Sequence, residues 1–404
     1  MTAIADIDAT KRDERRAMSV ASGAHALHDG YTDLIYVMLP IWQAEFGLTY
    51  AAVGLLRGLF AGTMASLQIP AGHLAERYGV AGILAGGTAL TGFGYCLAGL
   101  SGGFTMLLVS LLIGGLGAST QHPLASALVA RAFSGPRSMK ALGGYNFAGD
   151  IGKMTVPALA AVMIAVMPWR PSLVILGSAG FVAALLILLV TPRFARADAT
   201  GTTKTTSATA HKPRGGRYAF PTLLSIGVID SATRMGFLTF LPFILTAKGA
   251  SVPLIGVALT LVFAGGAVGK LVCAFIGSRI GVIGTVYLTE IVTLVLVLLL
   301  LPASLEISLV ILPILGVALN GTSSVLYGSV PELVDAEKRA RAFGIFYTGT
   351  IGAGAIAPIL YGFISDAIGL TGGVVVVAMM VVLTLPLAYM LRPAFAQLQS
   401  PSAV

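Results

Sequence analysis

The residues of this chain best suited to chemistry stand where side chains of their kind are costly. Ionisable groups interrupt long apolar stretches: His28, Asp29 and Asp33 within 20–43, Arg57 within 51–75, His122 within 104–130, and Asp150 with Lys153 within 140–166. Further along come Asp230 and Arg234 within 219–246, Lys270 within 252–276 and Glu290 within 281–302. A charge at bilayer depth costs roughly 2.5–3.5 kcal/mol on insertion scales, so each of these is a candidate for function. Spacing decides which of them share a helix face. Asp29 and Asp33 are four apart, as are Asp230 and Arg234, while Asp150 and Lys153 are three apart, so each pair projects from one side of its helix.

Two chemistries follow from these residue types. Arg57, Lys153, Arg234 and Lys270 are cations. Guanidinium groups grip carboxylate or phosphonate oxygens two at a time, and lysine adds a mobile point charge, so the substrate expected is a small organic anion. Gln121, Asn146, Tyr36 and Tyr145 are the neutral polar candidates for contacting it. The other chemistry is proton transfer. A carboxylate moved between wet and dry surroundings changes its proton affinity, which points to Asp29, Asp33, Asp150 and Asp230. His28 and His122 can relay protons, because imidazole titrates near neutral pH. His25 and His73 stand near the ends of their apolar runs and weigh less. The bland alternative stays open: Asp150–Lys153 and Asp230–Arg234 also read as ion pairs that hold helices together, and either histidine as a structural hydrogen-bonding group.

These residues need elements to hold them. About 20 apolar residues cross a bilayer core as a helix. Stretches of that size fall at 20–43, 51–75, 80–100, 104–130, 140–166 and 171–192, then at 219–246, 252–276, 281–302, 305–330, 341–364 and 370–391. The expectation is an all-α membrane protein with twelve transmembrane helices in two pseudo-symmetric six-helix halves, 20–192 and 219–392. The segment 193–218, rich in Thr, Ala and Lys/Arg, is too polar to bury itself and reads as a cytosolic linker. Residues 1–19 and 393–404 read as cytosolic tails, with no cleaved signal peptide ahead of the first span.

Composition and charge agree with a multi-pass protein of a bacterial inner membrane. Of 404 residues 56% are hydrophobic and 10% charged, against about 25% charged in soluble chains. With both termini cytosolic, four of the 25 Lys/Arg lie within spans and two, Arg170 and Lys248, on the far side, which leaves 19 facing the cytosol. That bias obeys the positive-inside rule, so the net charge of +8 calls for no nucleic-acid partner. Cys96 and Cys273 are isolated in apolar runs, with no metal or disulfide spacing. H-E-x-x-H, G-x-S-x-G and G-x-x-x-x-G-K-S/T are all missing, which argues against an enzyme and against ATP as the energy source. No cofactor and no metal are expected, and a proton gradient is the driving force that remains. The halves also repeat: at an offset of 202, Pro40 meets Pro242, Gly54 meets Gly256, Arg77 meets Arg279 and Gly79 meets Gly281. Repeats of this kind mark carriers whose binding site lies near the midplane.

The stretch GHLAERYG, 72–79, resembles the G-x-L-A-D-R-x-G loop of the major facilitator superfamily: Gly72, Leu74, Ala75, Arg77 and Gly79 match, and Glu76 keeps the acid. Such a loop can pair its acid with basic groups or helix ends of neighbouring spans and so clamp one conformation, which makes Gly72, Glu76, Arg77 and Gly79 a candidate gate. HALHDGYTDLIYVMLPIWQAEFGLTYAAVG resembles the first two spans of the fosmidomycin-resistance type of drug exporter. GGLGASTQHPLASALVARAFSG, with His122–Pro123, and VPALAA at 156–161 follow the same pattern. The fifth span departs from it, since GGYNFAGDIGKMTVP carries Asp150 and Lys153 where that group is typically neutral and glycine-rich. The resemblance implies a monomer working by alternating access, with Arg57, Lys153, Arg234 and Lys270 converging on one cavity. It places Glu290 on a span that often faces lipid or scaffold. It implies proton-driven export of a small drug or metabolite; an importer of a small organic anion, driven by proton symport or exchange, stays open beside it.

Overall fold

The computed structural model describes residues 2–133, 136–192, 216, 218–335 and 338–399, and every regular element among them is helical. The first half contains α1 (Thr2–Phe46), α2 (Tyr50–Ser66), α3 (Gln68–Tyr78), α4 (Val80–Gly99), α5 (Phe104–Ala118), α6 (Gln121–Ala132), α7 (Pro136–Val166) and α8 (Trp169–Val190). The second contains α9 (Ala219–Ala247), α10 (Val252–Leu300), α11 (Leu305–Ser329), α12 (Arg339–Met380) and α13 (Thr384–Gln399). Of the segment read as a linker, 193–215 and 217 lie outside the described residues, as do 400–404 of the C-terminal tail. The N-terminal segment read as a tail is helical from Thr2 onward and continuous with the first span. It holds no glycine or proline before residue 20, so nothing local interrupts the helix.

Among the described residues, eight helical stretches, one of them α5 running on into α6, are long and apolar enough to cross a membrane. Two of these, α10 and α12, are double, because Gly281 (φ 75°) and Gly369 (φ 83°) break them in the left-handed region. The pair α2 and α3, bent by 45°, adds another span. With α1, whose apolar run carries His25, His28, Asp29 and Asp33, the count reaches twelve. Most of the stretch 72–79 is therefore helix, the end of α3, and only Gly79 (φ 87°) turns the chain. Gly79 and Gly281, matched by the sequence offset, hold the same left-handed conformation at the same place in each half. A side chain there would cost about 1–2 kcal/mol, which explains why both are glycine.

Packing groups the chain somewhat differently from the two sequence halves. The described residues of 1–38, 59–203 and 252–260 form one compact unit, and those of 39–58, 204–251 and 261–404 form the other. Each half thus lends one segment to the opposite unit. In the second unit, Asp366 accepts from the backbone N–H of Tyr50 at 2.7 Å and of Ala51 at 3.0 Å, satisfying two of the orphan donors that open α2. A Cβ on Gly54 would run into the Pro358 carbonyl. In the first unit Thr260 donates to the Met154 carbonyl at 3.0 Å, and Gly256 lies against Ala161.

Glycines also set the approach of α7 to α1. A Cβ on Gly152 would overlap the carbonyl of Ala26, and one on Gly149 would stand 2.6 Å from Asp29 Oδ2. Small residues let membrane helices come into backbone contact, and here that contact brings Lys153 within reach of Asp29. Replacing Gly152 by valine should force α7 away from α1, with an overpacking cost of about 1–3 kcal/mol. Thermal unfolding of the purified full chain should show it: Gly152→Val melts lower, whereas Gly143→Val, with no neighbour within 4 Å of its Cβ, does not. Equal melting of the two variants would remove this packing argument.

Candidate functional site

In the first unit, α1, α6 and α7 bring ionisable side chains together around Asp29. Asp29 is 7% exposed as a whole residue. Its Oδ2 lies 3.3 Å from Lys153 Nζ, and its Oδ1 lies 3.4 Å from His25 Nε2 and 3.9 Å from His28 Nε2. The His122 ring meets both other imidazoles edge-on, at centroid separations of 5.3 Å from His25 and 4.7 Å from His28. Tyr145 stacks on His25 at 4.1 Å, and its backbone carbonyl accepts from His25 Nδ1 at 2.9 Å. The local sequence explains the clustering: His25 is one turn before Asp29 on α1, while Tyr145, Gly149, Gly152 and Lys153 recur at helical spacing along α7.

Donor counting adds a constraint. Both ring nitrogens of His25 face oxygen acceptors, the Tyr145 carbonyl and the Asp29 carboxylate. A neutral imidazole has one N–H, so both contacts are hydrogen bonds only when the ring carries two protons. Asp29 is thus a carboxylate shared by a lysine and by two imidazoles. The Lys153 side chain is 34% exposed and that of Asp29 10%, so the ammonium is the wetter end of the pair. Beside them a small cavity is lined by His28, Tyr31, Thr88, Thr120 and Gln121. Gln121 Nε2 is buried there without a hydrogen-bond partner among the described residues. The ligand atoms of His25, Asp29 and His122 lie within 4.8 Å of one another, so among the described residues these three form a group able to hold a metal ion. The ammonium of Lys153 on the same carboxylate opposes a second cation there.

The second unit holds another charged group. Asp230 and Arg234 stand one turn apart on α9, and Arg234 donates to Ser323 Oγ on α11 at 3.2 Å. Glu290, on the part of α10 beyond Gly281, is 2% exposed, with its carboxyl in hydrogen-bond reach of Asp230. Of the expectation that Glu290 faces lipid or scaffold, the lipid alternative fails, because the side chain is buried toward Asp230 of α9. Arg57 belongs to the segment that packs with this unit, and its Nη2 lies 3.9 Å from the sulfur of Met235, the neighbour of Arg234.

The remaining candidates are distributed as follows. Asp33 and Asp150 are buried on α1 and α7, and Tyr36 is fully buried. Lys270 is half-buried on α10. Asn146 is exposed, so it does not share the histidine cluster that its neighbour Tyr145 enters. Of the gate residues, Gly72 is half-buried and Gly79 makes the turn; Glu76 meets His73 at 3.5 Å and the Arg77 guanidinium lies over the Tyr78 ring at 5.3 Å, all of these side chains exposed. Sequence reasoning underweighted His25 and Glu290. The four-residue spacing of His25 from Asp29 was a usable signal; Glu290 finds its partner 60 positions away, which spacing alone does not reveal.

The model of the Major Facilitator Superfamily matches residues 21–229 and 223–403, and the chain belongs to that superfamily. It is similar to the fosmidomycin resistance protein of Escherichia coli (strain K12), 33% identical over 148 residues, a stretch covering 37% of this chain and 36% of that one. A "Probable 4-methylmuconolactone transporter" of Cupriavidus pinatubonensis is 25% identical over 345 residues, 82% of this chain and 79% of its own length. Among solved structures, a bacterial homolog to the human lysosomal transporter Spinster, inward-facing and occupied, superposes with a TM-score of 0.79 at 16% identity, covering 96% of this chain and 98% of that one. At that identity the likeness is one of fold.

The ion pair has a measurable signature. Removing one partner of a covered pair leaves an uncompensated charge and costs about 3–5 kcal/mol. Lys153→Met should therefore lower the unfolding midpoint more than Asp29→Asn does. The double variant should recover most of the loss. Strict additivity of the two single effects would mean that the two groups do not interact.

Proposed function

We propose that this chain is a proton-coupled secondary transporter that carries a small organic anion across the inner membrane by alternating access, with both termini cytosolic. The observation that carries the reading is the ammonium of Lys153 on the carboxylate of Asp29, within a histidine cluster inside a transmembrane bundle. Protonating Asp29 neutralises one group that holds Lys153 and loosens the ammonium toward an anion. An anion arriving at Lys153 draws the ammonium from Asp29, which then takes a proton. Each ligand favours the other, and the coupling is reciprocal. His25, His28 and His122 pass the proton to Asp29, with Asp33 and Asp150 on the same two helices behind them. Gln121 and Tyr145 lie at the same cluster, and Arg57, Arg234 and Lys270 are the further cations assigned to the anion. Gly72, Glu76, Arg77 and Gly79 form the gate. The working unit is a monomer, without a cofactor beyond the proton gradient.

Mutual assistance has a consequence for direction. Two ligands that bind best together move together, and an inward proton gradient then drives uptake. The geometry thus supports the importing reading above the exporting one. Export stands as the second reading, favoured by the resemblance to the fosmidomycin resistance protein. It requires the proton and the cargo to compete for Asp29, as a cationic cargo would. The cargo classes follow from the cations: phosphonates and carboxylates.

Proteoliposomes containing the full chain decide between them. With the outside made acidic, small phosphonates and carboxylates should accumulate inside, and a reversed gradient should empty the vesicles. Lys153→Met should reduce anion flux at least tenfold, the effect of losing roughly 1.4 kcal/mol of interaction. Asp29→Asn should retain exchange of anion for anion and lose the response to the gradient. Flux of cationic dyes alone, unchanged in Lys153→Met, would overturn the anion reading and leave the fold standing.

A further inference from the structure

We propose that Asp230 and Glu290 form a second proton-binding site, in which one proton is held between the two carboxyl groups beneath Arg234. The proposal extends the proton-coupled reading but stands on separate residues in the other unit. Its test reads the proton itself, so either idea can fail alone.

The argument begins with charge balance. Asp230 is 5% exposed and Glu290 2%, and the two carboxyl groups lie within hydrogen-bond reach of each other. Among the described residues, the cation facing them is Arg234, on the same helix as Asp230. Two carboxylates and one guanidinium leave one negative charge uncompensated in a buried place. Like charges in contact are not both retained, and a proton between the oxygens removes the excess while turning their contact into a hydrogen bond.

The surroundings fit a proton. From α11, Thr322 reaches the Glu290 carboxyl, and its hydroxyl donates to Thr289 Oγ1, next to Glu290, at 2.7 Å. Ser323 accepts from Arg234 Nη1 at 3.2 Å, so it steadies the guanidinium. From α12, the Thr350 carbonyl accepts from Ser231, next to Asp230, at 2.6 Å. Among the described residues, Glu290 Oε1 is buried with no hydrogen-bond partner. An acid O–H, or an oxygen waiting to accept one, fits that vacancy in the bonding pattern. A small metal cation would draw on the same oxygens, but Arg234 beside them disfavours it.

The pair also suits a switch. When the proton is present, Arg234 pairs with the single remaining charge. When it leaves, the guanidinium is pulled between two carboxylates and its bond to Ser323 is strained or lost. Proton occupancy is thereby tied to the position of a cation already assigned to the anion. Asp29 and Asp230 then give one proton site in each unit.

Infrared difference spectroscopy of the reconstituted full chain tests this. At neutral pH the wild type should show the C=O stretch of a buried, protonated carboxyl group that shifts in D2O and disappears on alkalinisation. The band should be lost in Glu290→Gln, where Asp230 remains as a lone carboxylate with Arg234, and should persist in Asp29→Asn. Absence of the band from the wild type overturns the proposal without reference to any variant. A band that survives both Glu290→Gln and Asp230→Asn overturns it too, since the proton would then lie elsewhere. Loss of the band on adding sodium at constant pH, with no effect of potassium, would replace the proton by a metal-ion site and likewise overturn it.

Discussion

A single covered carboxylate, Asp29, organises the first unit. Its two oxygens are divided between Lys153 on one side and His25 and His28 on the other, with His122 and Tyr145 closing the ring around them. A lone carboxylate in such a place would be expelled or neutralised, because burial without a partner costs several kcal/mol. The groups that meet its oxygens are therefore a fixed cation and imidazoles. In the coupling proposed above, that arrangement ties the proton on Asp29 or its histidines to the hold on Lys153 and to the affinity for an anion that Lys153 reaches. The same constraint governs the surrounding backbone, because only glycine at 149 and 152 lets α7 come close enough for the lysine to meet the acid.

Packing crosses the boundary between the two sequence halves. Residues 39–58 group with the second unit and 252–260 with the first, and each segment packs a glycine against a helix of the unit it joins, Gly54 against Pro358 and Gly256 against Ala161. A ligand shifts a population only as far as it binds one state better than the other. In the proposed mechanism, charged groups whose partners change with proton occupancy supply that difference, and the second unit contributes its own set in Asp230, Glu290 and Arg234.

Much of this was legible in the residues. Hydropathy and length marked twelve spans, and the offset of 202 matched Gly79 with Gly281, which adopt the same left-handed turn. The ionisable side chains inside the spans announced themselves by their cost. Pairing was harder to read. Helical periodicity relates Asp150 to Lys153 and Asp230 to Arg234, but it is blind to contacts between helices. It gave no hint that Lys153 reaches across to Asp29 or that Glu290 reaches Asp230. His25 was discounted for its place near a span's end; the long α1 carries the helix well beyond that point, and the residue is buried at the centre of the cluster. Span ends are read from where apolarity stops, whereas the helix and its burial continue as far as neighbouring elements cover it.

The linkage between proton and anion can be measured without transport. Purified chain in detergent, weakly buffered near neutral pH, is mixed with a small phosphonate or carboxylate that binds it, and protons are followed with an indicator. The account predicts proton uptake on binding, approaching one per anion bound and abolished in Asp29→Asn. Proton release, or binding with no proton movement in the wild type, would contradict it.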